Sequence, residues 1–505
     1  MKKVLIFSVY NDFNAMELAM MNVEQGNEVF FLECDSSLTI CQHNKKGNCL
    51  ICKHCVNSMK SAIHNLGLNK DVHIIWLKDI ICDEDKKTAA EYKCDFNSVQ
   101  ELKDLTFDGA QVGYGAFSSY VTFSRNVMPD MTDAFKAYIN FFIKKEIVVY
   151  ESLKRLHRKY HFDHIVFHNG RFAQFKPFLE FAKLYSVDFT CTEHKIVGNR
   201  LLRDYFENDI PHALDYLAQN VLDNWEKGDP ATREEIGRSF FEKRKIGVPA
   251  GDKVYVREQK MGEMPEDWDD SVENITIFNS SEDEFCSVSK DYDNYLMFPN
   301  QYIALRTIFE HYKDDKTKHF YLRIHPNLKN VPYKSHLALL EFKYDNVTII
   351  PAYSSISSYS LLDNSDKIII FNSTIGVEAA YWGKPVIALT KYIYWKLGLL
   401  YHPDKPDDIW PLIDSKELKA KEEDRKNLVK YGYWLLHPNY PEVSRAPYRY
   451  VSFNLYGRIL SDCTIMKFWG SYKGHVLLER FLNKMGVLSK FKSLPCTEPY
   501  IRDNR

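Results

Sequence analysis

Three short polar segments of this 505-residue chain carry residue types suited to an anionic ligand. In Arg323-Ile324-His325-Pro326-Asn327 the proline excludes helical backbone at His325, so the imidazole is presented at a strand end. A histidine held there can donate a proton or hydrogen bond to a departing phosphate, and a turn histidine with no ligand fits the pattern equally well. Asn372-Ser373-Thr374-Ile375-Gly376 supplies two hydroxyls and the amides of a starting helix. There Gly376 would let the backbone approach a ligand, and Glu378, in the first turn, would reach ribose hydroxyls. Helix capping and dipole compensation explain the same residues. Asn279-Ser280-Ser281-Glu282-Asp283-Glu284 is either a ligand loop or a capping segment.

The first half has its own set. His168-Asn169-Gly170-Arg171 leaves a strand and opens a helix, and Arg171 can grip an anion bidentately. Glu193, just past another strand, is placed to act as a base or to orient an acceptor hydroxyl, with a solvated carboxylate as the duller option. Gly113-Tyr114-Gly115-Ala116-Phe117-Ser118-Ser119, with Arg125, reads as a flexible loop that reaches a ligand. It is not a dinucleotide fingerprint, because no strand leads into it and no third glycine follows. Eleven cysteines make a disulfide framework improbable in a chain of this length. Cys41, Cys49, Cys52 and Cys55 have knuckle-like spacing for a structural zinc or iron–sulfur cluster, with His43 and His54 as spare ligands. Reduced cysteines in a polar loop are the alternative.

These residues need two sheets to position them. Lys3–Val9, Glu28–Glu33, Val72–Leu77, His164–His168 and Val187–Thr190 read as strands, with helices over Ala15–Gln25 and Phe172–Tyr185. After a charged, Pro- and Gly-bearing stretch at 226–270, a second series begins. Its strands are Ile275–Phe278, Phe320–Ile324, Val347–Ile350, Lys367–Phe371 and Pro385–Leu389; its helices are Tyr302–Tyr312, one within Ser357–Asn364, and Gly376–Trp382. Strand–helix alternation implies parallel sheets covered on both faces, so the expected class is α/β with two Rossmann-like doubly wound domains. The expected boundaries are 1–265 (with the Cys-rich insertion at 41–55 and the connector at about 226–270), 271–430, and a helical tail over 431–505. Ligands in such sheets bind beyond the carboxyl ends of the strands, where the three segments of the second half, His168–Arg171 and Glu193 are expected to fall.

Lys+Arg (66) and Asp+Glu (68) nearly cancel, which removes any global electrostatic case for nucleic acid. Mean hydropathy is −0.38, and no apolar run approaches the roughly 20 residues of a membrane span. The opening Met1–Phe7 is too short an apolar stretch for a signal peptide and reads as a buried strand. A cytoplasmic protein is therefore expected. Lys144–Lys159 interleaves Lys144, Lys145, Lys154, Arg155, Arg158 and Lys159 with apolar residues. That pattern suits either a helix lying on anionic lipid at the inner face of the plasma membrane or a packed helix with a charged outer face.

As a set, His325-Pro326, the Ser-Thr-x-Gly-x-Glu run at 373–378 and Gly383-Lys384-Pro385-Val386 resemble bacterial capsule polysaccharide biosynthesis proteins. These are glycosyltransferases of the two-Rossmann GT-B type, related to transferases that use CMP-activated acidic sugars. Asn169-Gly170-Arg171, Thr192-Glu193 and Ile275–Phe285 are similar to that family too. The resemblance covers roughly residues 105–440; the Cys41–Cys55 insertion departs from it. It implies a CMP- or UDP-linked sugar donor in the second domain, with His325 facing the phosphate and Ser373 and Thr374 holding it. Arg323, Ser280, Ser281, Glu282, Gly376 and Glu378 would complete the donor site. A glycan or lipid-linked glycan acceptor would enter near Ser118, Asn169, Gly170 and Arg171, with Glu193 as base. No Asp-x-Asp stands at a strand end, so no metal or other cofactor is expected for catalysis. Rival readings are a sugar-nucleotide epimerase of the same fold and a non-catalytic scaffold organised by the cysteine cluster.

Overall fold

The computed structural model describes residues 1–9, 12–41, 44, 47, 52, 55–56, 59–60, 62–64, 66–197, 200–251, 259–329, 331, 334–421, 425–438, 440–441, 453–455, 458–460, 477, 480–481 and 484–485. Two sheets organise it. The first contains β1 (Lys3–Ser8), β2 (Glu28–Glu33), β3 (Val72–Trp76), β4 (His164–His168), β5 (Asp188–Val197) and β6 (Arg200–Glu207), in the order β3-β2-β1-β4-β5-β6. The second contains β7 (Glu273–Phe278), β8 (Lys318–Arg323), β9 (Val347–Ile350), β10 (Lys367–Ile370) and β11 (Val386–Ala388), in the order β11-β10-β7-β8-β9. All pairings are parallel except β5 with β6. Both orders are doubly wound, so the α/β, two-Rossmann expectation holds; the antiparallel β6 is an addition to it.

The two-residue period of each strand explains its apolar run. Leu5 and Phe7 of β1 pack to one side with Tyr150 and Leu153 of the helix Asp133–Tyr160, while Val4 and Ile6 pack to the other with Ala15, Met16 and Ala19 of the helix Phe13–Glu24. In the second sheet Ile275 and Ile277 meet Leu305, Ile308 and Phe309 of the helix Gln301–Tyr312. Ile368 and Ile370 face the opposite way, toward Val377 and Ala380 of the helix Ile375–Tyr381. A strand with no polar alternation is thus buried on both faces.

The domains are not separate bodies. The expected connector contains the helix Arg233–Lys245, and the helix Arg425–Leu436 returns to pack on it. A Cβ on Gly432 would lie 2.5 Å from the carbonyl of Gly237, so these glycines allow close approach of the two helices. Phe241 of the same connector stacks on Tyr381 of the second domain at 4.0 Å. In the tail, Phe453–Leu455 and Arg458–Leu460 pair as a short antiparallel ribbon.

One local reading is corrected, and the second of two alternatives holds for another. Gly113–Ser119 is no loop but part of the buried helix Val112–Ser124, in which Gly113 and Gly115 make room for the Leu102 carbonyl and the Glu146 carboxylate. Glycine served close packing there, a use indistinguishable from loop flexibility in sequence. The basic helix at Lys144–Lys159 lies inside Asp133–Tyr160, with Phe142, Ile143, Ile147 and Leu153 buried in the domain. Its Lys154 pairs with Asp108 and Glu151, and its Arg155 with Asp85. The apolar face that lipid would need is already covered by protein.

Candidate active site

In the second sheet the strand order reverses between β7 and β10, and the polar residues gather just beyond the carboxyl ends of these strands and their neighbours. Asn279 follows β7, and its Oδ1 accepts the His325 N–H at 2.7 Å, which ties β7 to the end of β8. Asn327 donates to Ser281 Oγ at 3.3 Å, and Ser281 donates to Asp283 at 2.9 Å. Ser280 is fixed by Gln301 through its N–H at 3.1 Å and its Oγ at 2.8 Å. On the β10 side Thr390 donates to Asn372 Oδ1, and Asn372 Nδ2 donates to Tyr292 at 3.3 Å. Between these ends lies a recess of about 420 Å³, counting its solvent-filled mouth, lined among others by Ser280, Glu282, Cys286, Phe298, Asn372 and Thr390.

His325 stands just beyond β8, tied to β7 through Asn279. Burial pushes its pKa down to about 4, reinforced by the Arg323 charge. The ring is therefore neutral near pH 7, and its Nδ1 accepts the Asn327 N–H at 3.1 Å. That bond leaves the proton on Nε2. The side chain thus offers a hydrogen-bond donor rather than a positive charge. Glu282 is shifted the other way: desolvation raises its carboxyl to about 7, although the Gln301 N–H donates to it at 2.9 Å.

The remaining donor-side expectations divide. Ser373 and Thr374 stand after β10, two strand positions from His325 and so about 10 Å across the sheet edge, with β7's Asn279–Ser281 between them. Neither lines the recess, and neither does His325. Gly376 is explained by packing, since a Cβ there would run into Ile370 Cδ1. Glu378 is 1% exposed and does not reach for a ribose: Arg244 pairs with it at 3.0 Å and Tyr359 donates to it. Arg323 is also turned inward, 2% exposed, donating to the carbonyls of Pro351 and Ser354. Both long charged side chains fix the fold around the site.

The first sheet reverses between β1 and β4, and a second polar cluster sits there. His168 ends β4 in a buried position, with Nδ1 3.9 Å from Asp12 Oδ2 and Nε2 3.6 Å from Glu193 Oε1. Asn169, held at φ +57°, donates to Glu193 Oε2, and its N–H donates to Thr192 O at 2.9 Å. Gly170 continues the turn at φ +77°, a conformation that suits glycine. Arg171 then crosses to the second domain, donating to Glu284 O at 2.5 Å. His212, close enough to Arg171 and Glu193 to feel both charges, is pushed down to about 3 by burial and packs edge-on against Tyr292 at 6.3 Å. The two clusters are thus joined by a short chain of contacts, Arg171 to the Glu284 carbonyl, and His212 to Tyr292, which Asn372 bonds in turn. Ser118 is excluded from this chain, being 2% exposed inside its helix.

Asp12 and His212 went unnoticed in the sequence. Asp12 had a readable signal, an N-cap acid one turn after the first strand; its side chain caps Asn14 N–H at 2.9 Å. His212 had none. Of the cysteine set, Cys49, with His43 and His54, lies outside the described residues. Cys41 and Cys55 are buried, and Cys52 accepts from Asn44 at 3.0 Å. Among the described residues no three His, Cys, Asp or Glu side chains are grouped to hold a metal ion.

Residues 298–429 match the family model described as capsule polysaccharide biosynthesis protein, a stretch that includes His325, Asn372, Ser373 and Thr374. No curated protein matches the chain. Similar solved structures include the Thermosulfurimonas dismutans KpsC β-Kdo 2,7-transferase, at 15% identity, covering 56% of this chain and 80% of that one with a TM-score of 0.31. The β-Kdo 2,4-transferase of the same KpsC has 13% identity, 62% and 88% coverage, and a TM-score of 0.34. The Methanocaldococcus jannaschii UDP-GlcNAc 2-epimerase has 11% identity, 96% and 100% coverage, and a TM-score of 0.22.

Proposed function

We propose that the chain is a GT-B glycosyltransferase that moves a sugar from a CMP- or UDP-linked donor to a bacterial surface glycan, capsule or lipopolysaccharide, free or lipid-linked. The observation that carries this reading is the pairing of two doubly wound switch points of different chemistry, one amide- and hydroxyl-rich and one carboxylate-bearing, joined through Arg171, His212 and Tyr292. The capsule-family match over the amide- and hydroxyl-rich half supports it.

The donor phosphate lies against His325 Nε2–H, Asn279 and the backbone near Ser373, where fixed neutral donors stabilise the charge that grows as the phosphate leaves. The nucleoside side of the donor extends toward Ser280, Ser281 and Glu282. The acceptor approaches past Asn169–Arg171, and Glu193 takes the proton from its hydroxyl. This scheme uses no divalent ion, so EDTA is expected to leave the rate unchanged. A lipid-linked acceptor would bring the protein to a membrane surface; no helix among the described residues is long and apolar enough to cross one.

The test is nucleotide release from a panel of CMP- and UDP-sugars with and without a capsular oligosaccharide acceptor. Acceptor-dependent release that is lost in His325→Ala supports the reading. Conversion of the nucleotide sugar to an isomer without acceptor, or release indifferent to His325, overturns it.

A further inference from the structure

The first-domain cluster contains more than a single base. Going inward from the cleft, Glu193 has a side chain 28% exposed, His168 one 9% exposed and Asp12 one 8% exposed. The imidazole thus stands between two carboxylates, and each ring nitrogen faces a different one. Thr192 Oγ1 holds Asp12 Oδ2 at 3.4 Å, Asn14 Nδ2 holds the Glu193 backbone carbonyl at 2.8 Å, and Phe175 packs edge-on against the His168 ring at 5.5 Å. The end of β4, β5 (which runs on to Val197, so that Glu193 lies within the strand and not past it) and the helix after β1 therefore fix the line Asp12–His168–Glu193.

Taking Glu193 as the base, as in the function proposed above, we infer that His168 and Asp12 are positioning residues that drain the proton Glu193 collects. In the transfer step the acceptor O–H bond breaks as its oxygen bonds the anomeric carbon. The bond from that carbon to the donor phosphate breaks, its electron pair leaves with the phosphate, and the proton goes to the Glu193 carboxylate. Asp12 opposite Nδ1 favours the tautomer with its proton on that nitrogen, so Nε2 faces Glu193 as an acceptor. The proton then passes from Glu193 to Nε2, giving an imidazolium beside the Asp12 carboxylate and returning Glu193 to its ionised form. Release to solvent completes the cycle with no other reactant.

The groups that face this line are Asp12 from the helix after β1, Cys191 and Glu193 from β5, Asp204 and Tyr205 from β6, Arg171 after β4, and His212 before the helix Leu214–Lys227. Removing the Asp12 charge withdraws a stabiliser of the imidazolium, so the His168 titration moves to lower pH. Asn is the apt replacement because it also caps helices well and preserves the bond to Asn14.

Two measurements on the full chain decide the matter. In the acceptor-dependent assay with CMP- and UDP-sugars, Asp12→Asn is expected to lower kcat about tenfold or more and to move the acidic limb of its pH profile downward, and His168→Gln to abolish that limb. In both variants CMP or UDP still raises the melting temperature. A fall in kcat that is equal at every pH would mark a merely structural role and overturn the inference. The second measurement needs no substrate. In an NMR titration of labelled histidine, with the His168 signal assigned by His168→Gln, the midpoint falls in both Asp12→Asn and Glu193→Gln. An unmoved midpoint overturns the inference even if transfer is found; absence of transfer with a moved midpoint overturns the proposed function and leaves the Asp12–His168–Glu193 coupling intact.

Discussion

At the first switch point an imidazole lies 3.9 Å and 3.6 Å from two carboxylates, whereas at the second the imidazole of His325 faces amides and a hydroxyl network and burial holds it neutral. The two places are topologically alike, each being the gap between the first and fourth strands of its sheet. A site ringed by carboxylates repels a phosphate but can take a proton from a neutral hydroxyl. A site of neutral donors binds an anion without carrying a base of its own. In the function proposed above, one fold repeated twice thus yields a division of labour set by a few residues at the strand ends.

The sharpest way to break this contrast is to neutralise the acidic side alone. Glu193→Gln is expected to cut acceptor-dependent transfer by about 10²–10⁴-fold while nucleotide binding, read by thermal shift, is kept. Loss of nucleotide binding in this variant would put the donor in the first domain. Next is the tie between connector and second domain. Arg244→Met strands the buried Glu378 carboxylate and is expected to cost about 3–5 kcal/mol in denaturant unfolding; a change under 1 kcal/mol would mean that Tyr359 alone satisfies it. Gly376→Ala drives a methyl into Ile370, for which about 1–3 kcal/mol of destabilisation is expected with nucleotide affinity retained once folded. If affinity falls and stability does not, the glycine serves the ligand after all. The smallest effect concerns pH. With its carboxyl near 7, Glu282 is neutral below that value and anionic above it, so nucleotide affinity should weaken several-fold as pH rises from 6 to 8. Glu282→Gln should flatten that slope, as followed by calorimetry.

Much of the framework was open to reading. Strands such as Glu28–Glu33 and Val347–Ile350 fall on the expected residues because a doubly covered parallel strand needs an apolar run bounded by turns, a purely local signature. β6 escaped because an antiparallel partner with one wet face shows only a weaker alternation. Errors concentrated where one residue type serves two ends. Glycines in Val112–Ser124 and at Gly376 serve packing, and Arg323 and Glu378 lie at strand and helix ends yet turn inward.

The sequence by itself determined the fold class and most strand ends (β5 runs on to Val197, past the expected Thr190), and hence which short segments lie on the binding edge of each sheet, since periodicity and turn residues are local. Only the tertiary structure decided which side chains on those edges point outward. It brought Asp12 to His168 across 156 residues and His212 to Tyr292 across 80, and it shut Glu378 and Arg323 inside. Orientation and proximity depend on partners distant in the chain, and local spacing does not encode them.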